Sequence, residues 1–160
     1  MILSPWTRWS SKLWSAENFA RLGDFAADAL GAQIILTGST NDRPGNDVIL
    51  TLMKRRAVNL AGMMGLKETA CLFARCSCVV TPDSGPLHLA CAVEVPVISL
   101  FGPTAPWRTG PYPPSRGTVV RKELPCSPCF KRTCAENVCM KRITVEEVAE
   151  LLALKVKELN

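Results

Sequence analysis

Asp83, Ser84, Gly85 and His88 fall within six residues of one another in the segment TPDSGPLHLA, residues 81–90. An acid, a hydroxyl, a glycine and the chain's one histidine at the point where a strand becomes a helix suit the binding of an oxyanion. The backbone N–H groups at 84 and 85 open the helix, where unpaired donors and the helix dipole attract negative charge. A diphosphate could dock there. Ser84 and Thr104 would add hydroxyls, and Lys12 would add a mobile positive charge. The same residue types also suit an ordinary capped turn that binds nothing. His88, one turn into the helix, could equally pack on the sheet with its ring bonded to backbone. Neither GxGxxG nor GxxxxGK[ST] occurs, which argues against a dinucleotide fingerprint and a P-loop.

A second chemical cluster is CSPCFKRTCAENVC, where Cys126, Cys129, Cys134 and Cys139 form a C-x2-C-x4-C-x4-C run. Four thiols in a loop could hold zinc or an iron–sulfur cluster, pair as disulfides, or remain free. A metal held by four thiolates would staple the loop, with no coordination position left for substrate. Cys71, Cys76, Cys78 and Cys91 lie on or beside apolar stretches and read as small buried hydrophobes.

These groups need elements to position them. Residues 2–4 and 33–37, CVVT at 78–81 and PVISLF at 96–101 read as buried strands, and TVVR at 118–121 as a last one. Helices are expected over about 16–30, with Ser15 as N-cap and Gly31 just past the end. Further helices are expected ending near Arg56, over 66–76, and from 144 to 159, where Thr144 and Glu147 form a capping box. VNLAG reads as a short apolar step between helices. Ten of the twelve prolines fall between Pro82 and Pro128, so residues 102–142 should be mostly loop. Strands alternating with helices at this spacing predict an α/β fold, a Rossmann-like parallel sheet with helices on both faces. In such a sheet ligands bind beyond the carboxyl ends of the strands, where the loops at 7–12, 83–85 and 102–104 lie.

The 160 residues suit one domain with one core. No apolar run approaches the roughly 18 residues of a membrane helix, and only three apolar residues precede Ser4, too few for a secretory signal; a cytoplasmic address is expected. Lys and Arg number 19 against 14 acids, and the net +5 suits an anionic ligand or an anionic membrane surface. Nucleic acid is not expected, because basic residues are scattered and stacking aromatics are few. Trp6, Trp9 and Trp14 flank the first loop and, like Trp107, could either pack or face a partner.

DSGPLHLACAVEVPVISLFGPTAPWRTGPYPP, followed by CSPCFKRTC and CM, resembles the C-terminal half of the ADP-heptose:lipopolysaccharide heptosyltransferases, glycosyltransferase family 9. SPWTRWSSKLWSAENFARL, ILTGSTND and NLAGMMGLKETACLFARC resemble earlier segments of that half, in the right order. The resemblance implies one half of a GT-B glycosyltransferase, in which residues 1–160 are the nucleotide-sugar (donor) domain. It implies inverting transfer of heptose from ADP-heptose to the lipopolysaccharide inner core, with no cofactor required for catalysis, at the inner face of the inner membrane. It sets Thr7 and Lys12 at the phosphates, Asp83, Ser84 and Gly85 around the phosphates and sugar, Met64 against the adenine and Asp42 near the ribose; Thr104 and His88, read from the strand-end loops themselves, are expected on the same site. A lysine there would stabilise charge growing on the leaving group. Arg8 departs from the pattern, standing where a small hydroxyl residue would suit the phosphate loop. The family's general base is an aspartate of the N-terminal, acceptor-binding half; no acid here matches it, so the acceptor is expected to reach this chain through another domain. The other readings are a nucleotide-sugar-binding module without turnover and an interaction module stapled by metal at Cys126–Cys139. A homodimer covering the open cleft is a further expected partner arrangement.

Overall fold

Strand and helix alternate along the chain in the computed structural model, which describes residues 1–157. β1 (Ile2–Leu3) runs through a loop and a single 3₁₀ turn into α1 (Ala16–Leu30). β2 (Ile34–Leu36) precedes α2 (Arg43–Leu52), β3 (Ala57–Asn59) precedes α3 (Leu66–Phe73), and β4 (Val79–Pro82) precedes α4 (Gly85–Ala92). After β5 (Val97–Phe101) come the short α5 (Pro106–Thr109), β6 (Gly117–Arg121), the short α6 (Val138–Lys141) and α7 (Val145–Lys157). Residues 158 and 159, expected as the end of the last helix, lie outside the described residues.

The sheet order is β3-β2-β1-β4-β5-β6, and every neighbouring pair is parallel. The chain moves outward from β1 to β3, then returns to lay β4 against the other side of β1. Loops leaving the carboxyl ends of β1 and β4 therefore diverge, and a crevice opens between them. This is the switch point of the sheet.

Successive strand residues enter opposite cores, as the two-residue period requires. Leu3, Val80, Ile98 and Leu100 pack with Phe19, Leu22 and Ala26 of α1 and Val148 and Leu152 of α7. Ile2, Val79, Val97 and Phe101 pack with Phe73 of α3 and Leu87 and Ala90 of α4. Burial on both faces is why the strands read as continuous apolar runs. Truncating a fully buried Phe19 or Phe73 to alanine would cost about 3–5 kcal/mol.

The expected caps of α1 are present. Ser15 Oγ accepts from the Asn18 N–H at 3.2 Å, and Gly31 ends the helix in the left-handed region, φ 61°. At α7, Thr144 Oγ1 accepts from the Glu147 N–H at 3.3 Å. The Glu147 carboxylate pairs instead with Lys122, 2.6 Å away, so only half of the expected capping box forms. Three element expectations need correction. α2 ends at Leu52 rather than near Arg56, because Met53 is extended. The apolar step VNLAG contributes to β3, the edge strand beside β2. α3 stops at Phe73, short of Cys76.

Candidate functional site

A cavity of about 830 Å³ occupies the crevice, within the size range of small-molecule sites. The loop after β1 lines it with Trp6, Thr7, Arg8, Trp9 and Lys12; the loop after β2 adds Ser39, Asn41 and Asp42; β4's end and α4 add Asp83, Ser84, Gly85, Pro86 and His88. Seven residues singled out in the sequence, Thr7, Lys12, Asp42, Asp83, Ser84, Gly85 and His88, thus share one cavity. His88 is exposed and faces it rather than packing on the sheet.

Lys12 and Asp83 meet across the switch point. Lys12 Nζ lies 2.7 Å from Asp83 Oδ2 and 3.2 Å from the Asp83 carbonyl oxygen, with side chains only 13% and 5% exposed. The Trp9 ring centroid lies 4.4 Å from the same ammonium, a cation–π contact that limits where it can swing. Thr109 Oγ1 donates to Asp83 Oδ2 at 3.2 Å. Asp83 is therefore gripped from β1's loop on one side and β5's loop on the other.

Ser84 precedes α4 with extended backbone, and its hydroxyl bonds that of Thr81 at 2.9 Å instead of capping the helix. Gly85, the first residue of the helix, is exposed and lines the crevice. A Cβ at Gly85 would meet nothing within 4 Å, so the glycine keeps the approach to this helix end open. Asp42 is set by Ser39, whose N–H and hydroxyl both donate to Oδ2 at 2.7 Å. Gly38 permits that approach, since a Cβ there would lie 2.8 Å from the Asp42 Cβ. Oδ1 of Asp42 carries no hydrogen bond among the described residues, and the residue lines the cavity.

Two expected residues stand elsewhere. Thr104 is buried, its hydroxyl without a partner among the described residues, and does not line the cavity. The cysteine-rich loop lies over its segment: Ser127 Oγ donates to the Gly102 carbonyl at 2.6 Å, and the N–H groups of Cys129 and Phe130 donate to that of Pro103. The hydroxyl that β5's loop does deliver is Thr109, which sequence reasoning missed although RTGPY contains it. Met64 is half-buried and lines neither the cavity nor the adjoining recess of about 310 Å³, where Leu66, Thr69 and Phe73 stand with Thr37 and Asp42.

The tryptophans divide. Trp14 is core, its Nε1 donating to the Ile143 carbonyl at 2.9 Å and its ring edge-on to Phe19. Trp6 and Trp9 are half-buried cavity walls, Trp6 held by an Nε1–H bond to Asn46 Oδ1 at 2.7 Å. Trp107 is exposed beside Arg121.

All eight cysteines are free thiols. Cys126 and Cys134 are exposed, Cys129 is half-buried and Cys139 is buried. Among the described residues no three His, Cys, Asp or Glu side chains stand close enough to hold a metal ion, so the run as folded does not fit a zinc or iron–sulfur site. Burial pushes the Cys139 thiol up from its ordinary pKa, and that of Cys78 to about 12. Cys78 and Cys91 are buried as expected and Cys76 is half-buried, but Cys71 lies on the outer face of α3 and is exposed. Among the described residues no helix is long and apolar enough to cross a membrane.

Residues 1–140 match the family model for glycosyltransferase family 9 (heptosyltransferase). The chain is 29% identical over 145 residues to lipooligosaccharide heptosyltransferase 2 of Campylobacter jejuni, covering 88% of this chain and 46% of that protein. Over 115 residues it is 37% identical to lipooligosaccharide heptosyltransferase 2 of Haemophilus influenzae, covering 69% and 33%. Among solved structures, ADP-heptose lipopolysaccharide heptosyltransferase II of Escherichia coli superposes with a TM-score of 0.85 at 27% identity, covering 98% of this chain and 46% of that one. The chain thus spans less than half the length of these relatives.

Proposed function

Because the chain belongs to glycosyltransferase family 9, the heptosyltransferases, we propose that it is the donor-binding part of an enzyme that transfers heptose from ADP-heptose to the lipopolysaccharide inner core. The observation that carries this reading is the Lys12–Asp83 contact at 2.7 Å, made at the switch point beside the open N-terminus of α4. A diphosphate entering the crevice would meet Lys12, the Gly85 N–H, and the hydroxyls of Ser84 and Thr7. Oδ1 of Asp42 would accept from a ribose hydroxyl, and the base would enter the recess beside Leu66. Asp83, fixed from two sides, would orient the sugar.

In the transfer the anomeric carbon–oxygen bond to the diphosphate breaks and ADP departs with the electron pair. Lys12, nearly dry, meets the negative charge as it grows and so favours the transition state over the bound donor. The acceptor hydroxyl forms the new bond on the opposite face of the sugar and gives its proton to a base. We assign acceptor binding and that base to a domain corresponding to the part of the relatives outside the match.

Calorimetric titration of the chain with ADP, UDP and ADP-heptose, each without added metal, tests the reading. ADP and ADP-heptose should bind more tightly than UDP. Equal affinity for ADP and UDP, or no binding of any of the three, would overturn it.

A further inference from the structure

We propose that Thr109 is a positioning residue for donor binding, the hydroxyl that keeps Asp83 in place when the donor diphosphate draws Lys12 away. The inference rests on the donor-site reading above. Lys12 Nζ makes two contacts to Asp83, at 2.7 Å to Oδ2 and 3.2 Å to the carbonyl oxygen. An incoming diphosphate competes for the same ammonium, since a lysine has three donors and a compact charge. The competition would strip Asp83 of its charged donor while the carboxylate side chain is only 5% exposed. A buried acceptor that loses its partner incurs the full desolvation cost of that atom.

Thr109 Oγ1, at 3.2 Å from Oδ2, is the donor that remains. It comes from α5, on the loop after β5, so it does not move with the Lys12 loop. The turn that presents it is closed by N–H bonds from Arg108 and Thr109 to the Ala105 carbonyl and from Gly110 to that of Pro106. Thr109 itself is exposed, and among the described residues no other hydrogen bond depends on its hydroxyl. Its substitution therefore changes the grip on Asp83 without opening the core.

The test compares ADP affinity by calorimetry in the unaltered chain, Thr109→Val, Thr109→Ser and Asp83→Ala, with melting temperatures for each. Thr109→Val keeps the shape and loses the hydroxyl, and should bind ADP roughly fivefold more weakly at unchanged melting temperature, the net worth of one hydrogen bond from an exposed hydroxyl. Thr109→Ser keeps the hydroxyl and should bind within about twofold of the unaltered chain. A merely structural part for the side chain would move the melting temperature along with the affinity. If the unaltered chain binds ADP and Thr109→Val binds it equally well, Thr109 has no such role, whatever Asp83→Ala does. Equal losses in Thr109→Val and Thr109→Ser would also overturn the assignment, because the hydroxyl would not be the cause. If the unaltered chain binds no ADP, the donor reading falls and this assignment falls with it.

Discussion

Ser11 Oγ donates to the carbonyl oxygen of Lys131 at 2.6 Å, joining residues 120 positions apart in the chain. The Ser11 N–H donates to the Arg132 carbonyl at 3.2 Å, and Asn137 Nδ2 reaches the Leu13 carbonyl at 3.4 Å. Arg132 also stands 5.6 Å from the Trp9 ring that Lys12 touches. The cysteine-rich loop is thereby stitched to the single turn that carries Lys12. Through Ser127, Cys129 and Phe130 the same loop is bonded to the segment after β5. It braces two walls of the crevice at once.

Ser11→Ala follows from that brace. The substitution removes the 2.6 Å bond that buried Ser11 makes and leaves the Lys131 carbonyl without this partner. A loss of about 1–2 kcal/mol in denaturant unfolding is expected. ADP affinity should fall several-fold in parallel, because the Lys12 turn is then free to shift. Unchanged affinity despite the stability loss would mean that the turn is held by its remaining bonds alone.

Lys12→Ala should weaken ADP binding at least tenfold by calorimetry, because a near-dry ammonium is the strongest ligand the crevice can offer a diphosphate. It should also lower stability by about 2 kcal/mol, since Asp83 is left buried with only Thr109 as its side-chain donor. Adding Asp83→Ala to Lys12→Ala should recover part of that stability while leaving binding weak. A double variant less stable than either single one would mean that the pair is not coupled as its geometry implies.

The parts of the fold that were legible in the sequence are those decided locally. Ser15 and Gly31 bracket α1 through bonds that span a few residues, and the strands declare themselves because both faces are buried. Asp83, Ser84 and Gly85 were legible as lining a candidate site because they follow a strand in an α/β pattern. Thr104 and Thr109 were not separable in that way. Which of them faces Asp83 depends on the cysteine-rich loop, more than twenty residues downstream, lying over Gly102 and Pro103. Ser11 looks like an unremarkable loop serine until Lys131 is placed beside it. Met64 lies two residues before Leu66, and a shift of that size in a turn decides which of the two reaches the recess.

The buried thiol of Cys78 predicts a loss of stability in alkali. Burial raises its pKa from 9.0 to about 12, so the folded chain holds the proton where the unfolded chain releases it. The stability attached to this proton is complete below pH 9 and is lost as pH rises from 9 towards 12, at about 1.4 kcal/mol per pH unit. Urea unfolding followed across that window should show the decline, and Cys78→Ala should flatten it relative to the unaltered chain. Alkylation at neutral pH should label exposed Cys71, Cys126 and Cys134 and spare Cys78 until the chain unfolds. Labelling of Cys78 as fast as Cys126 in the folded chain would contradict its placement.

Asp42 caps its own turn and, in the donor-site reading, also meets the ribose; a single substitution would confound the two, and nucleotide analogues separate them. Its Oδ2 is occupied by Ser39, so Asp42→Ala should cost about 1 kcal/mol of stability whatever the ligand does. Its Oδ1 is not taken by Ser39, and a ribose hydroxyl donating there would make a charge-assisted bond. The unaltered chain should therefore bind ADP about tenfold more tightly than 2′,3′-dideoxy-ADP, as titration calorimetry would measure. In Asp42→Ala the two nucleotides should bind alike, at about the affinity of the dideoxy compound in the unaltered chain. Because the cap is lost equally in both measurements on the variant, its stability cost cancels from their ratio. A tenfold preference that survives in Asp42→Ala would place the ribose contact on another residue, and Asp42 would be left with its cap alone.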